Sequence, residues 1–126
     1  MKYVALSLVI LVAGAVIVGC GGGKTAKSNA YGKPIPADMP VVTAKELQDN
    51  PAAFEGKDVL VAGKITSECP SGGWVWVRDG TGDVYVNMHP TNVFIPQHVN
   101  GMVRAMGKVV LESGRPQVVG YGLELK

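Results

Sequence analysis

Six side chains in the second half of the chain could bind a soft or borderline metal ion. They are Cys69, Met88, His89, His98, Met102 and Met106. Thiolate and thioether sulfur favour Cu(I), whereas imidazole suits copper or zinc. Methionine more often fills a hydrophobic core, so Cys69 and His89 are the pair expected to form any copper or zinc site. Whether these two side chains meet depends on how the strands that carry them are staggered.

Four other residues could form a surface that binds a ligand. Trp74, Trp76 and Arg78 alternate along one face of a predicted strand, and Tyr85 lies on the returning strand. Aromatic side chains arranged in this way provide a binding platform on small β-barrels. In the alternative interpretation, the two tryptophans only cover the barrel while the valines between them fill its interior. We expect one tryptophan to be exposed and the other to be packed.

No pattern of residues points to catalysis. The chain has no Ser-His-Asp spacing, and the glycines before Lys24 do not form a phosphate-binding loop. Asp79 and Asp83 flank a tight turn, and hydrogen bonds within that turn explain these carboxylates better than acid–base catalysis does. We therefore expect a protein that is not an enzyme.

The charge balance argues against nucleic acid as a partner. The whole chain has a formal charge of +2, but from Val41 onward eight Lys and Arg stand against nine Asp and Glu. A protein that binds nucleic acid needs a basic stripe to neutralise phosphates. The sequence contains no such stripe in this part, so no nucleic-acid partner is expected.

A short helix is predicted ahead of the strands. Thr43 and Glu46 form a Thr-x-x-Glu capping box, in which each side chain bonds to a backbone N–H of the other residue. Asn50-Pro51 should end the helix, because the residue before a proline is driven out of the α region. The pattern predicts a helix over residues 44–49.

From Lys57 the apolar residues alternate with a period of two, and turn residues divide the chain into five short strands. The run from Asp79 to Gly82 is a strong hairpin signal, and Ser113-Gly114 predicts the last turn. Pro90 and Pro96 interrupt the segment between the third and fourth strands. This number and order of strands predict a mainly β protein, an OB-fold-like Greek-key barrel of five strands. The predicted domain covers residues 41–126.

The first twenty residues predict export. Lys2 precedes an uncharged apolar run over residues 4–18, and the small Gly19 then precedes Cys20. This arrangement is typical of a secretory signal peptide. The run is shorter than the roughly 20 apolar residues of a spanning helix, so a retained transmembrane helix is the second choice. The ending Ile17-Val18-Gly19-Cys20 resembles the bacterial lipobox.

The lipobox resemblance implies that residues 1–19 are removed and that Cys20 is acylated with fatty acyl chains such as palmitate. Two or more chains anchor a protein stably to a membrane. By the same resemblance, Gly21 in place of Asp directs the protein to the outer membrane, facing the periplasm. Residues 20–40 are then expected to be a flexible tether. Cys69 is left without an intramolecular disulfide partner in an oxidising compartment.

Two stretches of the chain resemble exported bacterial OB-fold domains. "ELQDNPAAFEGKDVLVAGKI" looks like their opening helix and first strand, and "CPSGGWVWVRDGTGDVYVNMHPTNVFIP" is similar to a family of small domains with a Cys-x4-Cys-Trp signature. The resemblance covers residues 43–110. In that family the two cysteines sit together, suited to a disulfide or to a soft metal. Here Cys69 matches the first cysteine, and Gly73 replaces the second.

The haem chaperone of cytochrome c maturation, a tethered and exported OB-fold, is a second resemblance. That family attaches haem through the histidine of a His-x-x-x-Tyr motif, whereas this chain has Gln117 four residues before Tyr121. The likeness is therefore one of architecture. We interpret the chain as a lipid-anchored envelope module that binds an envelope protein or a small molecule. The alternative is an envelope protein that handles copper, zinc or haem.

Overall fold

The apolar alternation after Lys57 produces long strands in the computed structural model, which describes residues 29–126. The elements are β1 Ala30–Gly32, α1 Ala44–Asp49, α2 Pro51–Phe54, β2 Asp58–Glu68, β3 Trp74–Arg78, β4 Asp83–Asn87, a single 3-10 turn His89–Thr91, β5 Met102–Glu112 and β6 Arg115–Leu125. None of the helices in this range is long and apolar enough to cross a membrane.

Five of the strands close into a barrel. β2 pairs with both β3 and β5, β3 pairs with β4, and β5 pairs with β6, all antiparallel. A parallel pairing between β4 and β6 closes the ring. This is the strand arrangement of an OB-fold, so the mainly β, five-stranded barrel that the sequence predicted is confirmed.

The interior of the barrel is filled by the alternate apolar residues of the strands. Its members are Val59, Val61, Ile65, Val75, Val77, Val84, Val86, Met88, Val103, Ala105, Val109, Val118, Leu123 and Leu125, joined by Ala44, Leu47 and Ile95. These core residues all come from the part of the chain after residue 43. Burial of this apolar surface is the main force that holds the barrel together.

Helix α1 begins at the predicted capping box and is fastened to the β3–β4 turn. The Thr43 hydroxyl accepts a hydrogen bond from the Glu46 N–H, and the Glu46 carboxylate accepts one from the Thr43 N–H. The carboxylate of Asp79 accepts a further bond, of 2.7 Å, from the N–H of Ala44. The turn residue therefore also orients the helix.

An N-terminal strap, residues 29–42, pairs with two strand edges that the barrel leaves free. Strand β1 pairs with β6 over Gly122 to Glu124, beyond the point where β4 ends. At the other end of the strap, Val41 pairs in parallel with Leu60, and the Val42 N–H donates to the Leu60 carbonyl at 2.8 Å. Unpaired strand edges invite association with other chains, and the strap blocks both.

The strap also crosses the outer surface of the barrel between these two pairings. A side chain at Gly122 would collide with the carbonyl oxygen of Lys33, and the end of the Met106 side chain lies beside the same point. The Lys33 ammonium sits 5.2 Å from the centre of the Tyr121 ring. Burial, followed by a hydrogen bond to Asp58, raises the pKa of Tyr121 to about 12.

The strap lies partly inside the range expected to be a tether. The sequence predicted a flexible segment over residues 20–40, whereas residues 30–32 form a strand and Tyr31 packs against the core. The signal peptide, Cys20 and the first part of the expected tether precede residue 29 and lie outside the described residues.

Candidate functional site

The outer surface of β3 and β4 carries an aromatic cluster. Trp74 and Trp76 alternate with buried valines on β3, and Tyr85 stands directly opposite Trp76 on β4. The Tyr85 ring lies between the two indoles, 5.9 Å from Trp74 and 5.2 Å from Trp76 between ring centres, with interplanar angles of 41° and 53°. Tilted aromatic contacts at these distances are favourable. Both tryptophans are on the outside, Trp74 half-buried and Trp76 40% exposed.

A groove of about 450 Å³ opens beside this cluster, against the β5–β6 turn. Its walls are Trp76 and Tyr85 on one side, and Glu112, Ser113, Arg115, Pro116 and Gln117 on the other. The Gln117 amide donates a 3.0 Å hydrogen bond to the Glu112 carboxylate. The groove thus combines two aromatic faces with donors and acceptors and with one charge of each sign.

Tyr85 is the residue that connects the groove to the β2–β3 loop. Burial raises the pKa of Tyr85, and the charges of Cys69 and Glu112 raise it further. Cys69 lies on the β2–β3 loop and Glu112 lies at the end of β5. The charges of both elements therefore act on the Tyr85 hydroxyl.

Arg78 shares the outer face of β3 but does not line the groove. Its guanidinium forms an ion pair with Asp83, with Nε at 2.9 Å from Oδ1. Arg78 and Asp83 are also cross-strand neighbours at the β3–β4 turn. Of the four residues that the sequence indicated for ligand binding, the structure places Trp74, Trp76 and Tyr85 in one cluster and pairs Arg78 elsewhere.

The Cys69 thiol sits in a loop that is rich in hydrogen-bond donors. Its Sγ lies 3.0 Å from the Ser71 hydroxyl. That bond, together with the N–H groups of Ser71, Gly73 and Gly72, lowers the pKa of the thiol against the opposing effect of burial. The Gln97 side-chain amide donates to the carbonyl of Cys69 and fixes the loop. Cys69 is a free cysteine in the described part of the chain.

His89 packs against the glycine that replaces the second cysteine of the Cys-x4-Cys-Trp pattern. A side chain at Gly73 would collide with the His89 ring, which also meets the Phe94 ring edge-on at 6.0 Å. The close packing of His89 therefore explains why position 73 is a glycine in this chain. The Gly73 N–H also contributes to the hydrogen bonding of the Cys69 thiol, but no group of three or more His, Cys, Asp or Glu within residues 29–126 could hold a metal ion.

The remaining candidate ligands lie apart. Met88 is fully buried in the core, and Met106 is buried beneath the strap. His98 uses its Nε2 in a 2.6 Å hydrogen bond with the Lys126 carbonyl. Met102 is exposed at the start of β5. The structure therefore does not gather these four side chains into one site with Cys69.

The residues of the β5–β6 turn were not identified from the sequence. Glu112 and Arg115 are ordinary charged turn residues in the sequence, and nothing in their spacing indicates a site. The sequence did indicate Trp76 and Tyr85, which form the other wall of the groove. Gln117, considered only as the departure from a haem motif, is part of the groove wall.

No protein-family model matches the chain, and no curated protein sequence matches it significantly. Solved structures do match its fold. The chain is similar to asparaginyl-tRNA synthetase from Pyrococcus horikoshii complexed with asparaginyl-adenylate, with 22% identity and a TM-score of 0.58 over 69% of this chain. It spans only 22% of the length of that synthetase.

The hypothetical protein YgiW from E. coli is similar over almost its full length. Identity is 15% and the TM-score is 0.54, covering 75% of this chain and 99% of YgiW. At these identities the likeness shows the fold, an OB-fold barrel, and nothing more specific. The resemblance to the Cys-x4-Cys-Trp family remains a hypothesis.

Proposed function

We propose that this chain is a lipid-anchored protein of the cell envelope whose barrel binds a ligand in the groove beside Trp76 and Tyr85 without catalysing a reaction. The observation that carries the proposal is the position of the groove. OB-folds bind ligands on the outer face of their second and third strands and between two loops, the one joining strands one and two and the one joining strands four and five. The groove occupies that region of this barrel.

The chemistry of the groove favours a small, neutral or zwitterionic ligand, or a short segment of an envelope protein with those properties. Its volume, about 450 Å³, falls within the roughly 300–1,000 Å³ of small-molecule sites. Glu112 and Arg115 balance each other in charge, and the two aromatic rings offer flat apolar surfaces. A polyanion such as nucleic acid gains little from such a surface.

The location rests on the N-terminal sequence. Acylation of Cys20 would anchor the mature protein, and Gly21 favours the outer membrane with the barrel in the periplasm. Replacing Cys20 with Ser should abolish lipidation and leave an unprocessed or soluble protein. Incorporation of labelled fatty acid into the Cys20→Ser variant would contradict this assignment.

The groove can be tested with the chain from Asn29 onward, which contains all the strands and the core that the structure describes. The chain has two tryptophans, so their two indole N–H signals can be followed by NMR while neutral and zwitterionic fragments are screened. We expect fragments that bind to shift the Trp76 indole and the backbone amides of residues 112–117. Trp76→Ala should abolish the amide shifts at residues 112–117, whereas Phe94→Ala, which removes another exposed aromatic ring, should retain both sets of shifts.

Fragments that shift other regions of the barrel, or that still bind the Trp76→Ala variant at the β5–β6 turn, would contradict the groove as the site. A single-stranded thymidine oligonucleotide serves as the negative control. Its binding at physiological salt would overturn the expectation of a neutral or zwitterionic ligand.

A second candidate function, binding of copper or zinc, is favoured by the packing of Cys69 and His89 around the same glycine. It predicts that Cu(I) or Zn(II) raises the melting temperature under reducing conditions, and that Cys69→Ser and His89→Ala each abolish the rise. A ligand at a hundredfold excess over its dissociation constant stabilises a protein by about 2.7 kcal/mol. Absence of a shift with both ions would exclude this function.

A further inference from the structure

The chain enters the described structure at one particular end of the barrel. The Leu125 N–H donates to the Asn29 carbonyl at 2.8 Å, and Met102 and Lys126 exchange two backbone hydrogen bonds beside it. The connection from β4 to β5, residues 88–101, runs across the same end and leads into Met102. We call this surface, residues 88–102 together with Lys126, the entry end.

The entry end exposes most of the large apolar side chains that the barrel presents to solvent. Five large apolar side chains are exposed in residues 29–126, and three of them, Phe94, Val99 and Met102, are on this surface, each between 47% and 50% exposed. Of the other two, Trp76 lines the groove and Val41 belongs to the strap. Exposed apolar side chains on one part of a barrel are candidates for contact with a partner or a membrane.

The charge of the entry end suits an anionic surface. No Asp, Glu, Lys or Arg occurs from residue 84 to residue 103. The exposed Lys64 pairs with Met102 across the strands, and the exposed Lys126 adjoins the same residue. The carboxylate of Glu68, next to His98 and Val99, is partly buried: one of its oxygens accepts the N–H groups of these two residues at 2.7 and 2.9 Å, and the other is buried without a hydrogen-bond partner.

The length of the preceding chain limits where this end can lie. Eight residues, 21–28, lie between Cys20 and Asn29, and the nine Cα-to-Cα steps span at most about 32 Å when fully extended. If Cys20 is acylated, the entry end is therefore the part of the barrel that is tied closest to the bilayer.

We propose that the entry end docks on the lipid surface to which Cys20 anchors the protein. Phe94, Val99 and Met102 enter the headgroup region, and Lys64 and Lys126 contact anionic headgroups. Burial of apolar side chains combined with attraction to anionic lipids is the usual basis of such binding. The proposal rests on the anchoring proposed above. Docking in this orientation leaves the β5–β6 turn, and with it the mouth of the groove, directed away from the bilayer.

The test uses the acylated full-length protein reconstituted into vesicles of phosphatidylethanolamine and phosphatidylglycerol. In a Cys69→Ser background, Phe94→Cys carries a polarity-sensitive fluorophore, and Ala52→Cys, on the exposed surface of α2 at the other end of the barrel, carries the same fluorophore as the matched control. We expect the emission at position 94 to shift to shorter wavelength and to be quenched by lipids brominated in their tails. The fluorophore at position 52 should keep the emission wavelength of a label in water and should not be quenched.

A second variant tests whether the fluorophore itself, rather than the apolar side chains, causes the shift in emission wavelength. Adding Val99→Asp and Met102→Asp to the Phe94→Cys protein should return the emission to that of water and remove the quenching, while circular dichroism shows an unchanged barrel. If the quenching persists in this variant, the apolar side chains do not form the contact and the proposal is wrong.

Flotation of the protein with the vesicles tests the lipid anchor independently of the docking. A protein that does not float with the vesicles overturns the anchoring proposal, whereas a protein that floats with an unquenched label at position 94 overturns the docking alone. A shift that grows with protein density at constant lipid would identify a second copy of the chain as the occupant, and would also overturn the docking.

Discussion

Two outer faces of the same barrel differ in what covers them. On the β2–β5–β6 side, Leu60 and Met106 are buried although they point away from the barrel interior, because the strap lies against that side. On the β3–β4 side, which we call the open face, Trp74, Trp76 and Tyr85 also point outward, and Trp76 remains 40% exposed. The strapped face is completed by the chain itself, whereas the open face remains available.

The contrast shows that an apolar residue on the outside of the barrel can be either buried by another segment of the chain or exposed for binding. Met102 and Met106 lie on the same side of β5, four residues apart, yet the first is 50% exposed and the second only 5% exposed. Both residues occupy outward positions of one strand, and the strap passes close to Met106 at Gly122. A face is a candidate site when the chain leaves it uncovered and gives it a groove with polar walls.

Removal of the strap should cause the largest loss of stability, because it uncovers the strapped face. A chain that begins at Val41 lacks the β1–β6 pairing and exposes the outer surface around Met106. We expect it to unfold at a much lower urea concentration than the chain that begins at Asn29, with a larger loss of stability than any single substitution described below. Equal midpoints for the two chains would show that the strap contributes nothing to stability.

The two methionines of β5 offer a matched pair. Met106→Ala should lower the free energy of unfolding by about 2–5 kcal/mol, as is usual for truncation of a buried methionine. Met102→Ala should change it by no more than about 0.5 kcal/mol, because exposed positions tolerate substitution. Urea unfolding of both variants measures the difference. Similar losses at the two positions would mean that the strap does not bury Met106 in solution.

Asp79 lies in the β3–β4 turn of the open face and is hydrogen-bonded to α1. Its contribution to the free energy of unfolding should depend on pH. Burial by itself raises the Asp79 pKa, but the hydrogen bonds from Thr81, Ala44 and Gly82 outweigh it, so the pKa in the folded protein lies below 3.8. The stabilisation is therefore complete above the unfolded-state value and is lost as the pH falls through the folded-state value.

Asp79→Asn should consequently lower the free energy of unfolding by about 1–2 kcal/mol near neutral pH. The difference in this free energy between variant and wild type should disappear between about pH 5 and pH 2. Asp83→Asn is the control, because the Asp83 side chain makes only the exposed ion pair with Arg78, and its replacement should cost less than about 1 kcal/mol. Unfolding of the three proteins across this pH range provides the measurement. A gap that stays constant with pH would contradict the role of the charged carboxylate.

The smallest expected effect concerns Cys69, beside the open face. The hydrogen bond with Ser71 lowers the thiol pKa below its ordinary value of 9.0, so alkylation by iodoacetamide should reach half its maximal rate at a lower pH than for a free cysteine. Ser71→Ala should raise that midpoint, whereas Ser67→Ala should not. Cys69→Ser should change stability by no more than about 1–2 kcal/mol. A midpoint unaffected by Ser71→Ala would contradict the assigned cause.

Local signals predicted most of the barrel. The capping box at Thr43 and Glu46 and the turn from Asp79 to Gly82 are both recognisable from neighbouring residues, and the hydrogen bond between Asp79 and Ala44 then joins them. The alternation of valines on β2 and β3 likewise determines which side chains enter the core. These signals were sufficient for the number and order of the barrel strands.

The strap and the groove could not be predicted in this way. Residues 30–32 are Ala-Tyr-Gly in a segment rich in Gly and Pro, and they form a strand only because β6 offers a free edge. The groove joins Tyr85 to Glu112 and Arg115, which meet only after the barrel has closed. Both features depend on pairings between distant parts of the chain, which a local pattern does not encode.

The strap has a consequence for the order of folding. Ala30 pairs with Glu124, near the other end of the described chain, so β1 cannot find its partner until β6 is in place. Contacts between residues so far apart in sequence form slowly, because the long loop must close first. We expect the barrel to fold first and the strap to dock last. Pulsed hydrogen exchange should therefore show the Lys33 amide protected after the Val61 amide, and the reverse order would contradict this sequence of events.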